Sequence, residues 1–337
     1  MLCCGPGCNK NCCTRSAARM FTEHSREPRL TPGVLAMKTN NSFRVLILGH
    51  GEMGRAMEYL LRRRHRLTVW ERHPKPGTPA VALDVVSAEQ DFILFCLPAS
   101  PHFELASRLQ PRLRRDGVCL SVAKGLDEHG RTAALALEGA LGPAAVFGVL
   151  YGPMISEEIR DGRPAFAQAG TKHAETYGRV RELFAGTSLY LEHSTDIAGI
   201  SWCAVLKNVY AILFGVADEM GLGDNTRGYL AVAAVNELER IVTGLGGLPE
   251  SPRRLAGLGD LITTATSAGS HHYEVGRRLA RGQEALTGEG VHTLEMVHAH
   301  GLFDSRGYPL FDLIGRLLAE PAVARAQMQN FLNRLRY

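Results

Sequence analysis

Arg44-Val45-Leu46-Ile47-Leu48-Gly49-His50-Gly51-Glu52-Met53-Gly54 is the stretch whose reading decides the fold. It opens with an apolar run short enough for one buried strand, and glycines end that run. Arg55 to Arg64 then reads as a helix, and Leu67-Thr68-Val69-Trp70 as a second strand that stops at Glu71. Together these make a βαβ unit. The three glycines do different things. Gly49 permits the tight turn, Gly51 lets backbone N–H groups approach a pyrophosphate, and Gly54 lets the helix close on the strand. The helix N-terminus, with Glu52 and Met53 in its first turn, then faces the phosphate charge. Three glycines at this spacing are common in loops. The strand before, the helix after and the acid at the end of the second strand turn a plain tight turn into a dinucleotide site. Glu71 is placed to accept from the adenosine ribose hydroxyls, which favours NAD. Arg72 beside it suits a 2′-phosphate or the adenine face, which keeps NADP open.

Outward from this unit, apolar runs at Phe92 to Leu97, Val118 to Ala123 and Val146 to Leu150 alternate with helical stretches. That rhythm predicts an α/β Rossmann-type, doubly wound parallel sheet over residues 43–190. Pro98, Lys124 and Gly152 follow strands, where ligands of such sheets bind. A lysine straight after a buried strand is costly unless its ammonium reaches an anion or solvent, and a solvated strand-end lysine is the bland alternative. After Ser188-Leu189-Tyr190-Leu191 the chain turns mainly helical, giving an all-helical domain over 191–337. Its first long helix runs near Asp196 to Glu219 and a second over Asn225 to Val242. Lys207 lies in the first among Ala204, Val205, Leu206, Val209, Tyr210, Ile212 and Leu213. Burial there would lower its pKa until it exchanges a proton near neutrality; snorkelling to the surface is the competing reading.

Composition bounds the rest. With 337 residues, 45% apolar and 21% charged, the chain has the make-up of a globular protein with two cores. No apolar run is expected to approach the roughly 20 residues of a membrane span. The formal charge of +4 sits entirely in residues 1–42, and no basic, aromatic-interleaved run or base-reading module follows, so no nucleic-acid partner is expected. The same segment holds Cys3, Cys4, Cys8, Cys12 and Cys13, five of the eight cysteines. Clustered thiols suit soft metals or acylation, but no second Cys/His cluster follows at finger spacing. The segment is expected to be a disordered extension, or a start placed too early with Met20 or Met37 as alternatives. It lacks the apolar segment of a signal peptide, while its basic, acid-poor composition leaves a transit peptide open. Cys96, Cys119 and Cys203, scattered in the body, fit a reducing compartment. No metal site is expected: His271 and His272 are adjacent, His292 has no histidine partner at helical spacing, and His298 and His300 are wrongly spaced to share a helix face.

In chain order, the glycine loop, Ser121-Val122-Ala123-Lys124-Gly125-Leu126, Leu206-Lys207-Asn208-Val209 and Gly257-Leu258-Gly259-Asp260-Leu261-Ile262-Thr263-Thr264 resemble one family. It is the NAD(P)-dependent glycerol-3-phosphate dehydrogenase family, of the 6-phosphogluconate dehydrogenase-like superfamily, and the likeness runs from Phe43 nearly to the C-terminus. The resemblance implies a cytoplasmic oxidoreductase, often dimeric. It would move a hydride between C2 of sn-glycerol 3-phosphate, a phospholipid precursor, and C4 of the nicotinamide of NAD or NADP. By the same resemblance Lys207 moves the carbinol proton, Lys124 polarises the oxygen beside the nicotinamide, and Asp260 positions lysine and substrate. Gly152 (in Gly152-Pro153-Met154), Asn208, Thr264, Ser270, His271 and His272 fall on the substrate. Glu52, Met53, Lys124, Ser156, His271 and Glu289 (in Glu289-Gly290-Val291) fall on the cofactor, with Gly49, Gly51, Gly54, Glu71 and Arg72.

The chain also departs from the family pattern. Where the family has Ser-Arg-Asn, with the arginine and asparagine on substrate phosphate, this chain has Ser270-His271-His272. Arginine carries a permanent charge in a bidentate fork, whereas a histidine of ordinary pKa, about 6.5, is mostly neutral at pH 7. Met154 replaces a small hydroxyl residue, and Ala233 stands where an arginine is often found. Two enzyme readings follow. Protonated His271 or His272, helped by Arg277 or Arg278, binds a phosphorylated substrate, or the pocket takes another small hydroxy or keto acid, as the Gly-x-Gly-x-Met-Gly loop of β-hydroxyacid dehydrogenases would suit. A third reading is a dinucleotide-binding regulator without turnover, which the presence of both lysines disfavours.

Overall fold

In the computed structural model, which describes residues 42–74, 82–267, 269–284 and 286–335, seven strands form one sheet in the order β2-β1-β3-β4-β5-β6-β7. They are β1 (Arg44–Leu48), β2 (Arg66–Trp70), β3 (Phe92–Phe95), β4 (Val118–Ser121), β5 (Val146–Tyr151), β6 (Ala165–Thr171) and β7 (Leu189–Ser194). The first five are parallel. Their order reverses between β1 and β3, where the ligand crevice of such sheets opens. The expectations for residues 1–41, including the cysteine cluster, lie outside the described residues.

The parallel expectation stops at β5. β6, which the sequence reading passes over, runs antiparallel to β5, and β7 is parallel to β6. A parallel return needs a crossover over the sheet face. Between β5 and β6 the chain makes only a five-residue helix that stays against the first helix of the βαβ unit, so it comes back beside β5 in the opposite direction.

Around the sheet lie α1 (Glu52–Leu61), α2 (Leu83–Val86), α3 (His102–Leu109), α4 (Ala133–Leu141), α5 (Ser156–Arg160) and α6 (Ala174–Leu183). The helical half adds α7 (Ile197–Glu219), α8 (Gly223–Gly244), α9 (Asp260–Thr266), α10 (His271–Ala280), α11 (Glu289–His300), α12 (Pro309–Ala319) and α13 (Ala324–Arg334). Strand residues alternate between two cores, as the two-residue period requires. Val45, Ile47, Phe92 and Leu94 pack with Ala56, Met57 and Leu61 of α1 and Val180 and Leu183 of α6. Leu46, Leu48, Ile93 and Phe95 pack with Leu105 of α3 and Leu137 of α4, in a cluster that continues unbroken into α7. Asn41–Tyr337 accordingly forms one compact unit.

α7 is the hub. Its 23 residues, with a mean hydropathy of 1.6 over the most apolar window, are long and apolar enough to cross a membrane, so the expectation that no run comes near that length is corrected. Yet 89% of that window is buried inside the protein, which is the condition of a core helix covered on all sides. α10 crosses it at Gly215 and Gly276. A Cβ on Gly276 would strike the Ile212 carbonyl oxygen, and one on Gly215 that of Tyr273, so the two backbones touch. That close approach brings the start of α10 beside Lys207.

Candidate active site

The glycine loop is built as the spacing predicts. Gly49 has φ +90°, in the left-handed region, and a Cβ there would lie 2.7 Å from the Cys96 carbonyl oxygen. A Cβ on Gly54 would strike the Gly49 carbonyl oxygen, which is the close helix-to-strand contact. At Gly51 a Cβ would meet nothing within 4 Å: the space over this backbone is open. Gly51 also starts α1 without a side-chain cap, so the first N–H groups of the helix are left for an anion. These features fit a dinucleotide pyrophosphate. Glu71 follows β2 at the same end of the sheet, and Arg72 pairs with Glu104 at 2.8 Å. Glu52 and Ser156 meet here: the Ser156 hydroxyl donates to the Glu52 carboxylate at 3.3 Å, and Arg160 does so at 2.7 Å. Hydrogen bonding from Arg55 above all, with Arg160 and Ser156 adding to it, holds Glu52 below the usual carboxylate range. Met53 packs its side chain against the second core cluster.

Past the end of β4 lies a buried cluster of two lysines on one carboxylate. Lys124, just past β4, donates to the Gly152 carbonyl at 2.9 Å and to Asp260 Oδ2 at 2.8 Å. Lys207, in the middle of α7, lies 3.4 Å from Asp260 Oδ1 and donates to Thr264 Oγ1 at 2.5 Å. Asp260 is delivered by a π-helix, Leu255–Gly259, a rare turn common at functional sites, which the sequence reading did not distinguish. Asn208 donates to the Lys124 carbonyl at 2.9 Å and to Glu289 at 3.5 Å, and its Oδ1 is a buried acceptor without a partner among the described residues. Lys207 is only 5% exposed, and it does not snorkel. Burial pushes its pKa down to about 8; Asp260 opposes that fall and the Lys124 ammonium adds to it. Gly152 has φ +152°, and its carbonyl is the acceptor that fixes Lys124.

The front of α10 differs from expectation. Burial first, then Lys207, His271 and Lys124, push the His272 pKa down to about 3. With no anion in the site His272 is therefore neutral at ordinary pH, because a third cation beside two ammonium groups is costly, and it brings no charge of its own to a phosphate. His271 is exposed and gives its Nε2 proton to the Thr287 carbonyl at 2.9 Å. Ser270 caps α10, its hydroxyl accepting from the Tyr273 N–H at 3.3 Å. Arg277 is held by Glu219 at 3.1 Å, and Arg278 donates to Gln283 at 2.8 Å, so neither turns to the histidines as expected. Met154 is buried in the second core cluster and Ala233 packs against the first. Glu289 stands next to Gly125 and Asn208. Among the described residues no three metal-ligating side chains come together.

A glycine loop at the switch point of a Rossmann-type sheet, in a chain that also holds a buried lysine–carboxylate cluster, is the arrangement of a dinucleotide-dependent oxidoreductase. Residues 79–177 match the N-terminal model, and residues 196–329 the C-terminal model, of NAD-dependent glycerol-3-phosphate dehydrogenase. The glycerol-3-phosphate dehydrogenase [NAD(P)+] of Gloeobacter violaceus is 32% identical over 285 residues, 82% of this chain and 92% of that one. That of Thermosynechococcus vestitus is 32% identical over 304 residues, covering 86% and 96%. The chain belongs to the NAD-dependent glycerol-3-phosphate dehydrogenase family. The crystal structure of glycerol-3-phosphate dehydrogenase from Coxiella burnetii shares the fold, with a TM-score of 0.76 at 23% identity over 86% of this chain and 99% of that one.

Proposed function

We propose that the protein reduces dihydroxyacetone phosphate to sn-glycerol 3-phosphate with NADH or NADPH, residues 43–190 holding the nucleotide and 191–337 the substrate. The observation that carries this reading is the Lys124–Asp260–Lys207 cluster, with Lys207 held to a pKa of about 8. The glycine loop at Gly49, Gly51 and Gly54 would hold the pyrophosphate of the dinucleotide, whose reduced nicotinamide would supply the hydride. The chain does the rest. Lys207, as ammonium, gives its proton to the C2 oxygen while the Lys124 ammonium stabilises the charge building there. Asp260 keeps both lysines in place, and Thr264, accepting from Lys207, aims it. The low exposure of this cluster strengthens each of these interactions by excluding water. Cys96, Cys119 and Cys203, buried and unpaired, support a reducing compartment, and we place the enzyme in the cytoplasm.

A second reading has one observation in its favour. His272 is held neutral and Arg277 and Arg278 are engaged elsewhere, which suits a non-phosphorylated hydroxy or keto acid. Steady-state oxidation of NADH and NADPH with dihydroxyacetone phosphate, run beside dihydroxyacetone and small keto acids, separates the two. Turnover of the phosphate ester that disappears in Lys207→Ala is the expected result. Cofactor binding without turnover of that ester sinks the proposal.

A further inference from the structure

Behind Lys124 lies a buried polar pair that no motif marks. His102, in the first turn of α3, and Ser121, the last residue of β4, are both fully buried. The His102 ring packs against Phe95, with centroids 5.1 Å apart. Its Nδ1 is 2.9 Å from the Pro98 carbonyl oxygen, its Nε2 is 2.8 Å from Ser121 Oγ, and Ser121 Oγ is 3.1 Å from the Ala123 amide nitrogen. Only one proton arrangement satisfies all three contacts. A carbonyl only accepts, so Nδ1 carries the proton; burial keeps the ring neutral, its pKa pushed down to about 4, so Nε2 accepts. The Ser121 hydroxyl must then donate to Nε2 and use its own lone pair for the Ala123 N–H. The chain runs from the Ala123 amide through Ser121 and His102 to the carbonyl after β3, with no member left unpaired. Two polar groups buried in this layer would be costly without such satisfaction.

What the chain of bonds holds is the Val122–Ala123 peptide, whose N–H lies one residue before Lys124. Two peptides further on, the Lys124 carbonyl is held by Asn208 of α7. We propose that His102 and Ser121 are positioning residues, which fix the β4 exit so that the Lys124 ammonium reaches both the Gly152 carbonyl and Asp260. The proposal rests on the role given to Lys124 above. It adds that the site's geometry is set partly from α3, by a histidine with no exposed surface.

A double-mutant cycle tests it. Ser121→Ala and His102→Phe, which keeps the ring against Phe95, are each expected to lower kcat about ten-fold while the dissociation constant for NADH stays within two-fold. In a Lys124→Ala background neither should cost anything further, because a residue acting through Lys124 has nothing left to position. Equal losses in both backgrounds overturn the proposal as a mere stability effect. If Lys124→Ala is itself fully active, the role of Lys124 fails first, and visibly so. A second readout does not depend on turnover: reductive methylation of Lys124, followed by peptide mass spectrometry, is expected to speed up several-fold in Ser121→Ala, as the ammonium loses its two anchors. An unchanged methylation rate also overturns the proposal. If His102→Phe does not fold, Ser121→Ala alone decides both measurements.

Discussion

Lys207 has an ordinary lysine's chemistry shifted by its surroundings, and the sign of the shift fixes the pH dependence. With the ammonium as the proposed proton donor in reduction, kcat for dihydroxyacetone phosphate should hold below about 8 and fall as pH rises through that value. Oxidation of glycerol 3-phosphate needs the free amine and should show the mirror profile, rising through about 8. Lys207→Ala should lower kcat by about 10² or more in both directions, the usual contribution of a positioned acid or base. His272 gives the complementary prediction. Because burial keeps it neutral down to about 3, no histidine limb from it should appear between about pH 5.5 and 7, and His272→Gln should leave the profile's shape unchanged there. The order of the motifs singles out Lys207, Asp260 and Thr264, which the fold brings together. His272's neutrality is not legible in the sequence, since it arises from α7 and α11 closing over the ring, contacts that no local spacing encodes.

Among the elements, those with strong periodicity are readable and those built of small residues are not. β1, α1 and β2 follow from an apolar run, three glycines and a second run. β6 reads Ala-Phe-Ala-Gln-Ala-Gly-Thr, and alanine and glycine carry little strand signal although nearly every residue is buried. The π-helix before Asp260 has no sequence signature beyond its glycines. Two tests belong here. Gly276→Ala would force the α7 and α10 backbones apart and should cost about 2 kcal/mol or more, read as a lower Tm. Glu237, buried in α8, accepts from Tyr210 Oη at 2.9 Å and from the Leu310 and Phe311 N–H groups at 2.7 and 3.0 Å, capping α12. Glu237→Ala leaves those donors unpaired and should cost about 2 to 4 kcal/mol in denaturant unfolding.

For the whole molecule, the decisive fact is that one apolar cluster runs from the sheet into α7 and on to α12 and α13. Sheet and helices should therefore unfold as one cooperative unit. Trp70 and Trp202, the two tryptophans of the chain, both lie in that cluster, so intrinsic fluorescence and far-ultraviolet circular dichroism should report the same single transition. Two separated transitions would show that the halves are energetically independent. The glycine seam between α7 and α10 also bears on how such an enzyme diversifies. With backbone against backbone, α10 is a fixed rail, and His271 and His272 ride at its front end like exchangeable fittings. A library randomised at those two positions should sample substrate preference while the proton-transfer step stays constant, so the chain offers a natural chassis for redirecting one reaction toward new carbonyl compounds.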